Sequence, residues 1–177
     1  MPSIKLPDNQ SALLAAWVAD YISEQRSAFI KKASSISAAQ KSILKPFFPA
    51  DVLDNVRVIR GRAGEPSFYR QLRAMGIRNA PAFSQMAGIT FLDVVVHVDP
   101  LTEELLFHEL VHAVQYKHLG LHGFAERYVR GFLVGGSYEE ILLEQQAYEL
   151  EGRFVANPSA TFSVEDYVMN GIRSNRL

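Results

Sequence analysis

The sequence predicts a mostly helical α+β fold in a single domain. Its 177 residues, 48% hydrophobic and 21% charged, suffice for one core that buries roughly 70% of the unfolded surface. Several long stretches repeat apolar residues every three or four positions, the period of an amphipathic helix. A single stretch, Gly88 to Val98, is instead dense in β-branched and aromatic residues. No internal repeat, low-complexity tract or linker divides the chain. It reads as an N-terminal helical segment (8–45), a core (47–155) and a tail (156–177).

The first helix is expected from Asp8 or Asn9 to Lys32, on the spacing of Leu14, Trp17, Val18, Tyr21, Ile22, Phe29 and Ile30, with Lys31 and Lys32 suiting its C-terminus. Ser37 and Gln40 fit a capping box for a second helix that Pro46 stops. Val56 to Ile59 is a short strand, Gly61 to Pro66 a loop, and Ser67 to Met75 a helix. Gly88 to Val98 is a largely buried strand or hairpin. Asp99 and Pro100 suit the cap and first position of a helix running to about Leu119, with Gly120 as its stop. A further helix from about Gly123 to Phe132 should end near Gly135 and Gly136. The next opens with a Ser137-x-x-Glu140 capping box and continues to about Val155, where Asn157-Pro158 breaks it. The tail from Ser163 holds one weak helix.

Composition removes several functions. Lys and Arg number 18 against 19 Asp and Glu, so no bulk attraction to nucleic acid or anionic membrane is expected. Cysteine is absent, which excludes disulfide scaffolds, thiol catalysis and thiolate zinc sites. Any metal must use His and carboxylate. The N-terminal stretch lacks a secretory pattern, since Asp8, Asp20 and Glu24 interrupt it, and no apolar run approaches the ~20 residues of a membrane span. A soluble, cytoplasmic chain is the expectation. A Gly-rich phosphate loop and a nucleophile elbow are both lacking, which argues against phosphoryl transfer and serine hydrolysis.

Residues 108 to 112 read His108-Glu109-Leu110-Val111-His112, an HExxH pattern inside a stretch that is helical by its own periodicity. Four residues along a helix separate the imidazoles by ~6 Å of rise and ~40° of rotation, so both can grip one ion. Glu109 lies ~100° round, placed to take a proton from metal-bound water. Leu106, Phe107, Leu110, Val111 and Val114 should bury the other faces.

A catalytic zinc site needs a third protein ligand and an open position. His118, six residues after His112, has the spacing of HExxHxxGxxH. Gln115 stands where that pattern needs a glycine to turn the chain, so the helix should continue and carry His118 ~9 Å beyond His112. Glu144 is the better candidate. It follows His112 by 32 residues, room for an intervening helix and a reversal, and small Ala147 one turn on permits close helix approach. Glu140 is taken up as the partner of Ser137, and Glu149 and Glu151 are expected to face solvent or bind Arg153.

The run LLFHELVHAVQY, followed by LG, the Phe124-to-Tyr128 segment, GGSY and LEQQAYELE, resembles the gluzincin branch of zinc metallopeptidases. It is more closely similar to bacterial metallopeptidase-like domains of unassigned function, including those associated with contractile injection systems. The likeness covers about Phe47 to Val155. It implies a zincin-like fold with an active-site HExxH helix, one zinc ion on His108, His112 and Glu144, and Glu109 as general base and acid. It also implies a peptide or protein substrate lying along Gly88 to Val98 as the sheet edge. The implied mechanism needs an oxyanion donor. Tyr138, Tyr128, His122 and His97 all qualify by residue type, and Tyr138 is preferred because it follows the flexible Gly135-Gly136 pair. The alternative is a zincin-like module that binds metal or a partner without turnover.

Overall fold

The computed structural model describes residues 6–174, 176 and 177. Helix α1 (Asp8–Phe29) ends three residues earlier than expected, because Ile30 to Lys32 turn the chain toward the two-residue strand β1 (Ser34–Ser35). The Ser37–Gln40 capping box then opens α2 (Ala38–Leu44). Gln40 N–H donates to Ser37 Oγ at 3.2 Å, and Ser37 N–H donates to Gln40 Oε1 at 2.9 Å. The six-residue α3 (Ala50–Asn55), which buries Val52 and Leu53, is too short for periodicity to reveal. Strand β2 (Arg57–Arg60), the 61–66 loop and α4 (Tyr69–Ala74) follow close to their expected places.

The Gly88–Val98 stretch is a hairpin of β3 (Gly88–Phe91) and β4 (Val94–His97). Its two-residue turn puts Leu92 at φ 61°, a conformation that costs a β-hairpin of L-residues unless neighbours hold it. Asp93 is that anchor. Its carboxylate accepts two bonds from Arg26 of α1, at 2.5 and 2.9 Å, and thereby ties the turn to the first helix. The sheet order is β1-β2-β4-β3, with β2 and β4 parallel and the other pairs antiparallel. β4 is therefore interior, so within the hairpin only Gly88–Phe91 lies at a sheet edge, β1 being the other edge.

Helix α5 (Glu103–Gly135) starts later than Asp99-Pro100. Thr102 is its cap, with Oγ1 accepting from Leu105 N–H at 3.2 Å, while Asp99 lies outside the helix in an exposed ion pair with Arg60 at 2.8 Å. Gly120, at φ 66° and ψ 172°, breaks α5 into two limbs as its position predicts, and Gly136 at φ 80° closes the second limb. The Ser137-Glu140 capping box does not form. Residues Tyr138–Glu140 make a 3₁₀ turn instead, Ser137 makes no capping bond, and α6 (Leu142–Ala156) begins after Ile141. The turn is pressed against Gly135, where a β-carbon would lie 2.1 Å from Glu140 Cβ. The tail forms α7 (Val164–Arg173), capped by Ser163.

Apolar residues on the two faces of the sheet feed two cores, as a period of two requires. Val94 and Val96 join a cluster with α1 and the second limb of α5. Val95 joins one with α3, α6, α7 and the first limb of α5. Leu106, Phe107, Leu110, Val111 and Val114 are fully buried there, and Phe107 stacks on Phe154 at 4.5 Å. From Leu106 to Tyr116 the first limb is buried at every position, so His108, Glu109, His112 and Gln115 are buried as well. Among the described residues no helix is long and apolar enough to cross a membrane.

Candidate metal centre

His108, Glu109, His112 and Glu144 are only 3–6% exposed. Groups this buried must be paired. One turn of α5 separates His108 from His112, and α6 lies across it so that Glu144 completes the cluster. His108 Nε2 is 3.2 Å from His112 Nε2, and Glu144 Oε2 is 3.5 and 3.3 Å from the two. These three atoms form a nearly equilateral triangle.

The partners of the outer nitrogens fix what the triangle contains. His112 Nδ1 is 2.9 Å from Gln115 Oε1. The Gln115 amide is oriented by its other end, since Nε2 donates to the Leu143 carbonyl at 3.0 Å and to Gln146 Oε1 at 3.1 Å. Its oxygen can only accept, so Nδ1 of His112 carries the hydrogen. His108 Nδ1 likewise lies 3.0 Å from Glu151 Oε2 and donates to it. In its neutral form each imidazole therefore turns a bare Nε2 lone pair inward. Glu144 Oε2 accepts the Tyr138 hydroxyl at 2.5 Å. Three electron-rich atoms face one another, and only a cation or added protons relieve their repulsion.

Electrostatics agree with this. Burial alone would lower the His108 pKa, but hydrogen bonds to Glu144 and Glu151 and the charges of Glu109 and Glu144 push it up to about 10. His112 moves upward against burial through Glu144. Burial would raise Glu144, yet the charge of His112 and bonds from His108, His112 and Tyr138 hold it well below the usual carboxylate range. Without a metal the cluster collects protons, the other way to neutralise it.

Glu109 stands beside the triangle. Thr90 of β3 donates its hydroxyl to Glu109 Oε2 at 2.6 Å, and that hydroxyl is 3.0 Å from the Glu109 carbonyl. Gly88 leaves the room, because a β-carbon there would lie 2.5 Å from Glu109 Oε1. Burial raises the Glu109 pKa, against the lowering effect of both histidines and Thr90. A carboxylate of raised basicity next to a cation-binding cluster suits proton transfer. Glu109, His112, Glu144 and Tyr138 line one cavity of about 50 Å³, walled by Phe83 and Met86 among others.

The remaining sequence candidates divide clearly. Tyr138 reaches the cavity, but its hydroxyl hydrogen is directed to Glu144. Tyr128 is part of the cavity wall, His97 Nδ1 lies 3.1 Å from the Val98 carbonyl, and His122 lines a separate groove beside α1. His118 is held by Glu165 at 2.8 Å, outside the cluster. Glu151 departs from its expected place. It is half-buried against His108 and does not bind Arg153, whose guanidinium lies over Phe162 and Tyr167 at 4.3 and 4.4 Å. Glu144, Tyr148 and Glu151 share one face of α6, and Tyr148 covers the His108 ring at a centroid distance of 4.5 Å. That i, i+4, i+7 pattern, and Gln115 three residues after His112, were the available signals for these supporting residues.

No family model, curated protein or solved structure matches the chain. Fold and site together define a mostly helical α+β chain with a small mixed sheet and a buried His108–His112–Glu144 cluster able to hold a metal ion.

Proposed function

We propose that the chain is a zinc-dependent hydrolase of peptide bonds, with His108, His112 and Glu144 as ligands and Glu109 as general base. The triangle carries the reading. With bonds of ~2.0–2.1 Å, a tetrahedral ion needs ligand atoms about 3.3–3.4 Å apart; the three spacings are 3.2, 3.3 and 3.5 Å. Octahedral coordination of the kind used by two-histidine, one-carboxylate iron sites needs about 3.0 Å at similar bond lengths, a poorer fit. Three protein ligands leave a tetrahedral site one open position, the arrangement of catalytic zinc.

Zinc at such a site supplies Lewis acidity and lowers the pKa of water toward ~7. The chain's own residues do the rest. Glu109, held by Thr90, accepts a proton from the attacking water and returns it to the leaving amine. Glu151 and Gln115 accept from the two Nδ1–H groups and so orient both rings with Nε2 toward the ion, and Tyr138 holds the Glu144 oxygen in place. A cavity of about 50 Å³ admits water but not a peptide residue, since ligand pockets run to ~300 Å³ or more. Binding of a peptide residue there therefore requires the cavity wall to open.

The test is a set of variants. Glu109→Ala is expected to keep zinc and lose hydrolysis of a peptide library, whereas His108→Ala loses both. Zinc retention without zinc-dependent cleavage of any library peptide by the parent would leave the alternative, a zincin-like metal- or partner-binding module.

A further inference from the structure

The charge of this chain is unevenly spread. From Arg57 to Arg78 the sequence holds six arginines and one acid, Glu65, although the whole chain has a net charge of -1. Two of the six have local work: Arg57 donates to three carbonyls at the end of α3, and Arg60 pairs with Asp99. Three others gather at one cavity of about 240 Å³. Arg73 and Arg78 line it together with one acid, Glu65, and Arg62 reaches its wall by donating to the Ser84 carbonyl at 3.2 Å. Among the described residues, neither Arg62 nor Arg78 forms an ion pair. Arg73 meets only Glu65, at 3.2 Å in an exposed pair that gains little in water. Ile77 and Phe83 add apolar surface to its lining.

This cavity adjoins the metal centre. Phe83 lines both. Gln85, also in its wall, is three residues from Gly88, which backs Glu109; three residues span at most about 10 Å. We infer that the arginine-lined cavity is a subsite for an acidic side chain of a peptide, a few residues from the bond presented to Glu109. Guanidinium groups suit a carboxylate, and apolar surface in the lining suits the carbon stem that carries it. A nucleic acid is a poorer fit, because its backbone needs a continuous basic track and Glu65 interrupts this one. The peptide substrate rests on the hydrolase reading; the preference for acid is separable from it.

The experiment measures binding, with labelled decapeptides that differ only in having Asp, Asn or Lys at one position, scanned along the chain. Fluorescence anisotropy uses the full-length protein at low salt, with and without zinc. At one position the Asp peptide should bind about tenfold more tightly than the Lys peptide, as expected for two partly exposed charges. Arg78→Glu should abolish or reverse that preference, and the milder Arg78→Gln should weaken it should the reversal impair folding. Salt near 0.5 M should shrink it. Equal binding of all peptides, a preference that survives Arg73→Glu with Arg78→Glu, or tighter competing binding by an oligothymidine would overturn the inference. An acid preference without cleavage upholds the subsite and defeats the hydrolase; cleavage indifferent to acid does the reverse.

Discussion

Gly88→Ala tests whether the edge strand sets the position of the general base. The added methyl would lie 2.5 Å from Glu109 Oε1 and 2.9 Å from Leu105 Cδ1. Ordinary contact begins near 3.4 Å, so the carboxylate must retreat about 0.9 Å, and its 2.6 Å bond to Thr90 leaves little slack. A misplacement of about 1 Å in a reacting group costs on the order of 10²-fold in rate. Overpacking at this site should cost about 1–3 kcal/mol of stability. The metal triangle does not include Glu109, so zinc affinity should stay within about threefold of the parent. The assay pairs kcat on a cleaved library peptide with zinc titration against a chelator. Unchanged kcat would show that Glu109 is not positioned by β3, and a collapse of zinc affinity would show that the two parts of the site are not independent.

Two more outcomes are expected. Glu151→Ala removes the acceptor for His108 Nδ1–H and should weaken zinc binding about 10–100-fold, whereas Glu149→Ala, exposed on the same helix, should not change it; equal affinities in a chelator competition would remove Glu151 from the site. Zinc binding should also release protons. The carboxylates around His108 push its pKa up to about 10 in the metal-free protein, so its Nε2 is expected to shed a proton on binding at pH 7. Apparent affinity should then fall roughly tenfold per pH unit for each proton displaced as pH drops from about 10, and level off above it. Titration calorimetry in buffers of different ionisation enthalpy counts the protons, and a count of zero would contradict the charge state assigned to the cluster.

Much of the fold was legible because it follows from local chemistry. The Ser37–Gln40 box, the Gly120 break, the Gly135-Gly136 end and the five apolar residues of the HExxH helix all act within a turn or two of chain. Local rules failed elsewhere. Asp99 has the residue type of a cap, but Thr102, three residues on, takes the role. The Ser137-Glu140 box gives way to a 3₁₀ turn that delivers Tyr138 to Glu144. The parallel pairing of β2 with β4 joins segments more than thirty residues apart, beyond any local pattern. At the site, spacing on one helix gave both histidines, and chain length between helices gave Glu144. Thr90 was hidden because its role depends on how β3 lies against α5, and for Glu151 helical spacing gave the shared face with Glu144 but not the partner, His108.

The most direct test is elemental analysis of the full-length protein beside Glu144→Ala, each incubated with zinc and then dialysed. About one zinc per chain in the parent, largely lost in the variant, is the expected result, with X-ray absorption showing imidazole and oxygen ligands at ~2.0–2.1 Å. Far less than one zinc per chain in the parent, or equal zinc in both proteins, would contradict a metal centre built from His108, His112 and Glu144.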